Sequence, residues 1–290
     1  LLLELDFAGH TLSSAGKITM EEGLVLVNSS EEKASSLKLT KSNASGWNTN
    51  ASLIFAASEA TAFANLAGEI VTSKDRAELI DNVNIVASNT AIELQRPGDN
   101  AISYMLDSDI TAQLLRVVES TEESQGTWNV NGKLALGILD MQENGSAALS
   151  VSELLASTGL KVGGTDTLHV EKASNVKDVH LLQGATLVTD SFKQTSGGKS
   201  YLAAESTWII NESATIYNPV LSANNTEEDK FAYIYKTADA TINLEGTLTR
   251  TTKNVMLAFG KMSGVVDDIQ DIELLDYVGQ TKVFNTSNTK

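Results

Sequence analysis

The chain has 290 residues, with 21 Lys and Arg against 37 Asp and Glu, a formal net charge of −16, 42% hydrophobic residues and no cysteine. The acid excess repels a phosphate backbone or an anionic lipid surface, which argues against nucleic acid as a partner, and the missing cysteines exclude a disulfide framework, a thiol nucleophile and a Cys-ligated metal. The hydrophobic fraction is too high for a disordered chain, yet no stretch approaches the ~18 consecutive apolar residues of a spanning helix, so a soluble folded segment that does not insert into a membrane is expected.

The chain opens Leu1, Leu2, Leu3, Glu4, Leu5, Asp6 with no basic stretch leading into an apolar run, so any targeting signal is expected outside it. Short alternating runs follow, separated by small polar turns: Leu24–Val27, Leu37–Thr40 and Val83–Val86. Period-two alternation of apolar and polar residues is the mark of a strand with one buried face. Between Asp109 and Ser120 the apolar residues Ile110, Leu114 and Val117 also fit a helix face, with a strand as the alternative. Further strand runs are Thr167–Val170, Thr186–Thr189, Tyr233–Tyr235 and Thr241–Leu248. Near the end, Val266, Ile269, Ile272, Leu275 and Val278 recur at every third position, with Asp267 and Asp268 in the first turn and Gly279 placed to stop it. That spacing predicts a helix within 266–290, a C-terminal cap.

The only three tryptophans, Trp47, Trp128 and Trp208, stand at nearly equal intervals along the chain. Each is followed three positions later by asparagine, namely Asn50, Asn131 and Asn211, and then by a second alternating run. The six residues are read as markers of a structural repeat in which each indole covers the turn that holds its asparagine, with an exposed row of sugar-stacking tryptophans as the alternative. Leu94, Leu114, Leu134 and Leu154 share one even spacing with Arg76, Arg96 and Arg116, which hints at a column of stacked rungs. No Gly/Ser or charge run marks a linker. The expected fold is therefore all-β, a right-handed parallel β-helix (β-solenoid) over 1–265 with repeats of roughly 80 residues and the cap over 266–290. Rungs of about 22 residues would give roughly thirteen. Tandem β-sandwich domains are the alternative.

The stretches around the tryptophans, Ser206–Ile216 closest, Gly126–Trp128 next and Gly46–Trp47 least, resemble a recurring element of the β-helical passenger domains of Gram-negative autotransporters, the pertactin-like family. Thr165–Val170 is similar to that family's rung openings. The resemblance covers about ten residues in each of three places. It implies a secreted, repeat-built surface protein at the exterior of a Gram-negative outer membrane, an adhesin or passenger stalk linked to virulence. Its partners would be proteins or glycans on a host or neighbouring cell, or further copies of itself. A viral tail fibre, a surface-layer protein and a polysaccharide-degrading β-helix enzyme are the alternatives.

Residues that carry chemistry are sparse. None of His10, His169 and His180 lies in a nucleophile-elbow context or at i, i+4 spacing, so neither a Ser-His-Asp hydrolase nor a zinc site is expected. Acid clusters occur at Asp107 with Asp109, at Glu227, Glu228 and Asp229, and at Asp267, Asp268 and Asp271. They read as solvated turn acids, while a glycan-cleaving groove would use two of them at a fixed separation. Gly163–Leu168 partly resembles a calcium-binding nonapeptide turn but occurs once, whereas that device works by repetition. Glycosylation sequons begin at Asn28, Asn43, Asn50, Asn144, Asn211, Asn224 and Asn285. The expectation is no enzyme, no catalytic residue, no cofactor and no metal.

Overall fold

A computed structural model describes residues 3–20, 24–56, 63–64, 70–71, 76–96, 103–119, 127–141, 146–195, 197–216, 231–237, 239–250, 256–262, 272–274 and 284–285. It is all-β, 71% strand, and forms a parallel β-solenoid of about 8 turns with almost no helix. The chain divides into two compact units, Leu1–Leu154 and Leu155–Lys290.

In the first unit, β1 (Leu3–Asp6), β2 (Thr11–Ser14) and β3 (Ile18–Met20) make one solenoid turn, and β4 (Leu24–Val27), β5 (Ser35–Leu39) and β6 (Ala51–Ala56) stack on them in parallel, strand for strand. A small antiparallel pair, β7 (Phe63–Ala64) and β8 (Ile70–Val71), comes next. Then β9 (Arg76–Asp81) continues from β4, and the long β10 (Val83–Arg96) bends to continue both β5 and β6. β11 (Ser103–Asp107) lies on β9, β12 (Ile110–Glu119) on β10, and β13 (Thr127–Met141) on both β11 and β12. Alternation explains which residues point inward. Leu37, Ile85, Ile110 and Leu134 share one register column and are all buried, as are Leu53, Ile92, Leu115 and Leu139 in another. Each such side chain taken from water contributes about 1.5–3 kcal/mol, and that gain recurs with every stacked turn. β14 (Ala148–Val162) begins in this unit and ends in the next.

In the second unit, β15 (Thr167–Val176), β17 (Thr186–Gln194) and β19 (Thr207–Ile216) stack in parallel, and β19 passes the register to β21 (Thr241–Leu244) and β22 (Thr247–Arg250). Beside them run the second half of β14, then β16 (Asp178–Leu181), β18 (Ser200–Leu202), β20 (Phe231–Lys236) and β23 (Met256–Met262). One corner repeats. The amides of Asp166, Ala185, Ser206 and Ala240 each donate to the carbonyl three positions back, at 3.0, 3.1, 3.2 and 3.3 Å, and the next residue each time is a threonine opening a strand. Gly184 and Glu205 hold the same place in two of these corners with φ of 78° and 59°, the left-handed region that favours glycine. Two antiparallel strands finish the unit, β24 (Ile272–Leu274) on β23 and β25 (Phe284–Asn285) on β22.

The structure departs from the sequence reading in four places. There are about 8 turns rather than thirteen, because several turns carry long insertions: Leu53 has Ile92 as its register partner and Trp208 has Ile242, each across an excursion of the chain. Residues 110–119 are strand. Their helix-like spacing arises because alternation slips by one at the adjacent inward pair Leu114 and Leu115, where the strand turns a corner. The evenly spaced leucine and arginine columns do not form. Leu114 lies beside Ala91 and Ile138, and Arg76 beside Ser103, because a turn here takes up more chain than that spacing allows. Finally, Ile272–Leu274 is strand, not helix. The rest of the expected cap over 266–290, apart from 284–285, and the 265/266 boundary lie outside the described residues.

Candidate functional site

The residues that drew attention in sequence fall into two groups. Trp128 and Trp208 are fully buried, each the second residue of a strand that opens a solenoid turn, and each points into the core of its own unit. Trp128 stacks on Tyr104, its register neighbour, with centroids 4.6 Å apart. Trp208 meets Phe192 edge to face at 4.9 Å, and its Nε1 donates to Thr189 Oγ1 at 3.1 Å. Trp47 sits elsewhere, in the single-turn 3-10 helix Gly46–Asn48, at 36% exposure. The strands that carry Trp128 and its register partners lead from β13 through β11 and β9 to β4, not to the 3-10 helix that holds Trp47, so even spacing in sequence is not an equivalence in space. Asn50 and Asn131 are exposed, and Asn211 is half-buried with Nδ2 donating to Asp190 Oδ1 at 2.7 Å.

The segment around Trp47 is strapped onto the first unit. Arg116 Nη2 donates to the Trp47 carbonyl at 2.8 Å, Nη1 meets Glu93 Oε1 at 2.8 Å, and Nε lies 3.7 Å from Asp140 Oδ2. Register places Glu93, Arg116 and Asp140 side by side on β10, β12 and β13. The guanidinium hydrogen-bonds two acceptors, Glu93 and the Trp47 carbonyl, with Asp140 as a second carboxylate at ion-pair distance, and the two carboxylates offset the cost of its burial. The strap is completed by Asn43, whose backbone amide donates to Asn89 O at 3.1 Å and whose Nδ2 donates to Asn50 O at 2.9 Å. It holds an indole against the outside of the sheet, where it is open to solvent.

The outward faces of the second unit are columns. Thr167, Thr186, Thr207 and Thr241 are consecutive register partners. On another side, Lys161, His180 and Tyr201 are consecutive, with Tyr235 next in register, and the rings of His180 and Tyr201 lie 5.1 Å apart, tilted at 60°. His169 Nε2 lies 3.5 Å from Asp190 Oδ1, and Asn211 donates to the same oxygen. Sequence reasoning missed Lys236, which follows the buried Leu181 and Leu202 in register and has Lys261 as its next register partner. Its Nζ donates to the carbonyls of Thr237 and Ala240 at 3.0 and 2.8 Å. Burial pulls this ammonium below the ordinary lysine range, while Asp239 pulls it back up.

The acid clusters divide likewise. Asp109 Oδ1 accepts the Lys133 amide at 2.8 Å and Asp107 O accepts the Asn82 amide at 2.9 Å, both within corners of the first unit. Glu227, Glu228 and Asp229, and Asp267, Asp268 and Asp271, lie outside the described residues. Asp166, in the calcium-like turn, is buried at the repeated corner, and among the described residues no group of three His, Asp or Glu is placed to hold a metal. His10 lies at the corner before β2, where its amide donates to Phe7 O at 2.8 Å. Asn28, the first sequon residue, is buried, its Oδ1 accepting from Gly9, Ser30 and Ser35 and its Nδ2 donating to Lys33 O at 2.9 Å, so it is a corner residue whose amide nitrogen is engaged. No helix among the described residues is long and apolar enough to cross a membrane. No protein family, no curated protein and no solved structure matches the chain.

Proposed function

We propose that this chain is part of a non-enzymatic protein displayed outside the cell, an adhesin or autotransporter passenger stalk that binds proteins or glycans of another cell through its lateral faces. The observation that carries the reading is the periodicity of the outward columns in the second unit, Thr167 to Thr241 on one side and Lys161, His180 and Tyr201 on another. A surface that repeats a hydroxyl or a ring at the inter-strand spacing of about 4.8 Å offers many similar weak contacts, which gain strength through multivalency. Aromatic rings beside a lysine and a tyrosine hydroxyl suit sugar rings, whose C–H faces stack on aromatics while their hydroxyls hydrogen-bond.

The test is binding of the purified chain to a glycan array and to whole cells, with Tyr201→Ala as the variant. Retention on a subset of glycans, weakened at least about tenfold by Tyr201→Ala with the fold intact, supports the reading. Release of reducing ends from the glycans, abolished by Asp107→Asn or Asp109→Asn, replaces it with a polysaccharide-degrading enzyme. Recovery of the native protein from the cytosol alone rejects it.

A further inference from the structure

Charge is unevenly laid over the second unit. Acids outnumber bases 37 to 21 in the whole chain, yet the adjoining segments 159–162, β16 and β18, with the residues that lead into them, carry Lys161, Lys177 and Lys199 against one acid, Asp178. Period-two order sorts the side chains of these segments. Leu160, Val162, Val179, Leu181, Ser200 and Leu202 are buried, so Lys161, Asp178, His180, Lys199 and Tyr201 face outward. Lys161, His180 and Tyr201 are consecutive register partners, and Lys199 stands two positions before Tyr201 on the same face, about 7 Å along the strand. Asp178 turns its Oδ1 to the Lys199 backbone amide at 3.0 Å. Among the described residues no carboxylate lies within ion-pair distance of Lys161 or Lys199, whereas Lys133 meets Glu153 at 3.6 Å and Lys236 is tied to two carbonyls.

We infer that this face binds an acidic glycan, one in which a sugar bearing a carboxylate or a sulfate is linked to the sugar that stacks on Tyr201. The inference rests on the adhesive reading above and names its ligand class. The rings of His180 and Tyr201, 5.1 Å apart and tilted at 60°, do not lie flat on one sugar together, so they receive two linked sugars in succession. Each step along the column is about 4.8 Å, comparable to the length of one pyranose unit. With one sugar on Tyr201 and the next on His180, the acid group of the second reaches Lys161, while Lys199 serves an acid group beside Tyr201. Charge selects this occupant. Screening limits each ammonium to about 8 Å at physiological salt, so a ligand lying on this face meets the local lysines rather than the net charge of −16. A nucleic acid or an anionic bilayer presses many dense charges against the acidic remainder of the chain, whereas a glycan with an acid on every second sugar brings few.

Calorimetric titration of the full chain with three polymers of equal length tests the face: hyaluronan oligosaccharides, which carry carboxylates alone, chondroitin sulfate oligosaccharides, which add sulfates, and carboxyl-reduced hyaluronan, which is neutral. Binding of an acidic polymer is expected, at least about tenfold tighter than that of the neutral one. Binding of hyaluronan assigns the contact to carboxylate, and binding of chondroitin sulfate alone assigns it to sulfate. Lys161→Gln combined with Lys199→Gln should weaken binding at least about tenfold, with strand circular dichroism retained. Lys172→Gln combined with Lys193→Gln removes the same charge from exposed positions on β15 and β17 and should change it less than about twofold. Tyr201→Phe keeps the stacking ring and should keep binding that Tyr201→Ala loses. Equal affinity for the neutral polymer, equal effects of the two lysine pairs, or binding of neither acidic polymer each overturns the proposal. In the last case, binding to neutral glycans or to cells leaves the adhesive reading standing, and its absence removes both.

Discussion

Trp128 and Trp208 hold the same strand position in different units, and their surroundings differ. Trp128 lies flat against Tyr104, and its indole Nε1 has no hydrogen-bond partner among the described residues; Trp208 meets Phe192 by its edge and gives its proton to Thr189. The difference follows from the residue in register beside each. An aromatic neighbour on the adjoining strand, Tyr104, enforces stacking at the strand spacing, whereas Leu187 beside Trp208 leaves the ring to find Phe192 on the same adjoining strand. The wider contrast between the units has the same origin. The second holds short turns of nearly even length from Leu168 through Leu187 to Trp208 and repeats one corner, while the first has longer register intervals, as from Leu53 to Ile92, and carries the Glu93, Arg116, Asp140 row.

The largest expected effect is shared by both units. Trp128→Ala and Trp208→Ala should each destabilise by about 3–5 kcal/mol, read from denaturant midpoints, because each empties a large part of a packed column. Equal tolerance of either change would mean that the indole does not fill the core. Next comes a difference between the two. Thr189→Val should cost about 1–3 kcal/mol by leaving the buried Trp208 donor unsatisfied, and that cost should vanish in a Trp208→Phe background, as a double-mutant cycle would report. Arg116→Ala should release the strap, raising the amide exchange of Asn43 and Thr49 with little change at the second unit's corners, whose exchange serves as the internal reference.

Smaller effects sharpen the repeated corner. Glu205→Gly should stabilise by about 0.5–1 kcal/mol, because a side chain there holds the left-handed φ at a cost, and Gly184→Ala should lose a similar amount. Acrylamide should quench one of the three tryptophans, Trp47, and leave two shielded. The smallest effect concerns Asp6. Hydrogen bonds from the Ser29 hydroxyl and amide and from the Ala8 amide hold its carboxyl below the ordinary carboxylate range. The folded value lies below the unfolded one, so this corner's contribution is present above the ordinary value of 3.8 and fades as pH falls through the lowered one. A chemical-shift titration of Asp6 should show a midpoint below the ordinary value of 3.8.

Strand identity was legible in sequence wherever alternation was clean, as in Thr167–Val170, Thr186–Thr189 and Thr241–Leu244, because which face of a strand is apolar is written in adjacent residues. It was illegible at corners. The inward pair Leu114 and Leu115 breaks the period and imitates a helix, and nothing within Ile110–Glu119 says that the chain bends there. The candidate site was half legible: rarity drew attention to Trp47, Trp128 and Trp208, but rarity does not separate a buried ring from a strapped, exposed one. Arg116 looked like one of an evenly spaced set, yet its partners Glu93 and Asp140 stand one turn before it and one turn after it in the register the turns actually take.

Composition and period-two order carried the all-β class, the acid excess, the lack of thiol chemistry and the apolar-in, polar-out strands of the solenoid, since these need no partner to be expressed. Folding alone decided the number of turns, the insertions between them and which tryptophans are core. Those depend on register between strands a full turn or more apart in the chain, as from Leu168 to Leu187 or from Leu26 to Ile80, and a register is a property of two segments that only their contact can fix.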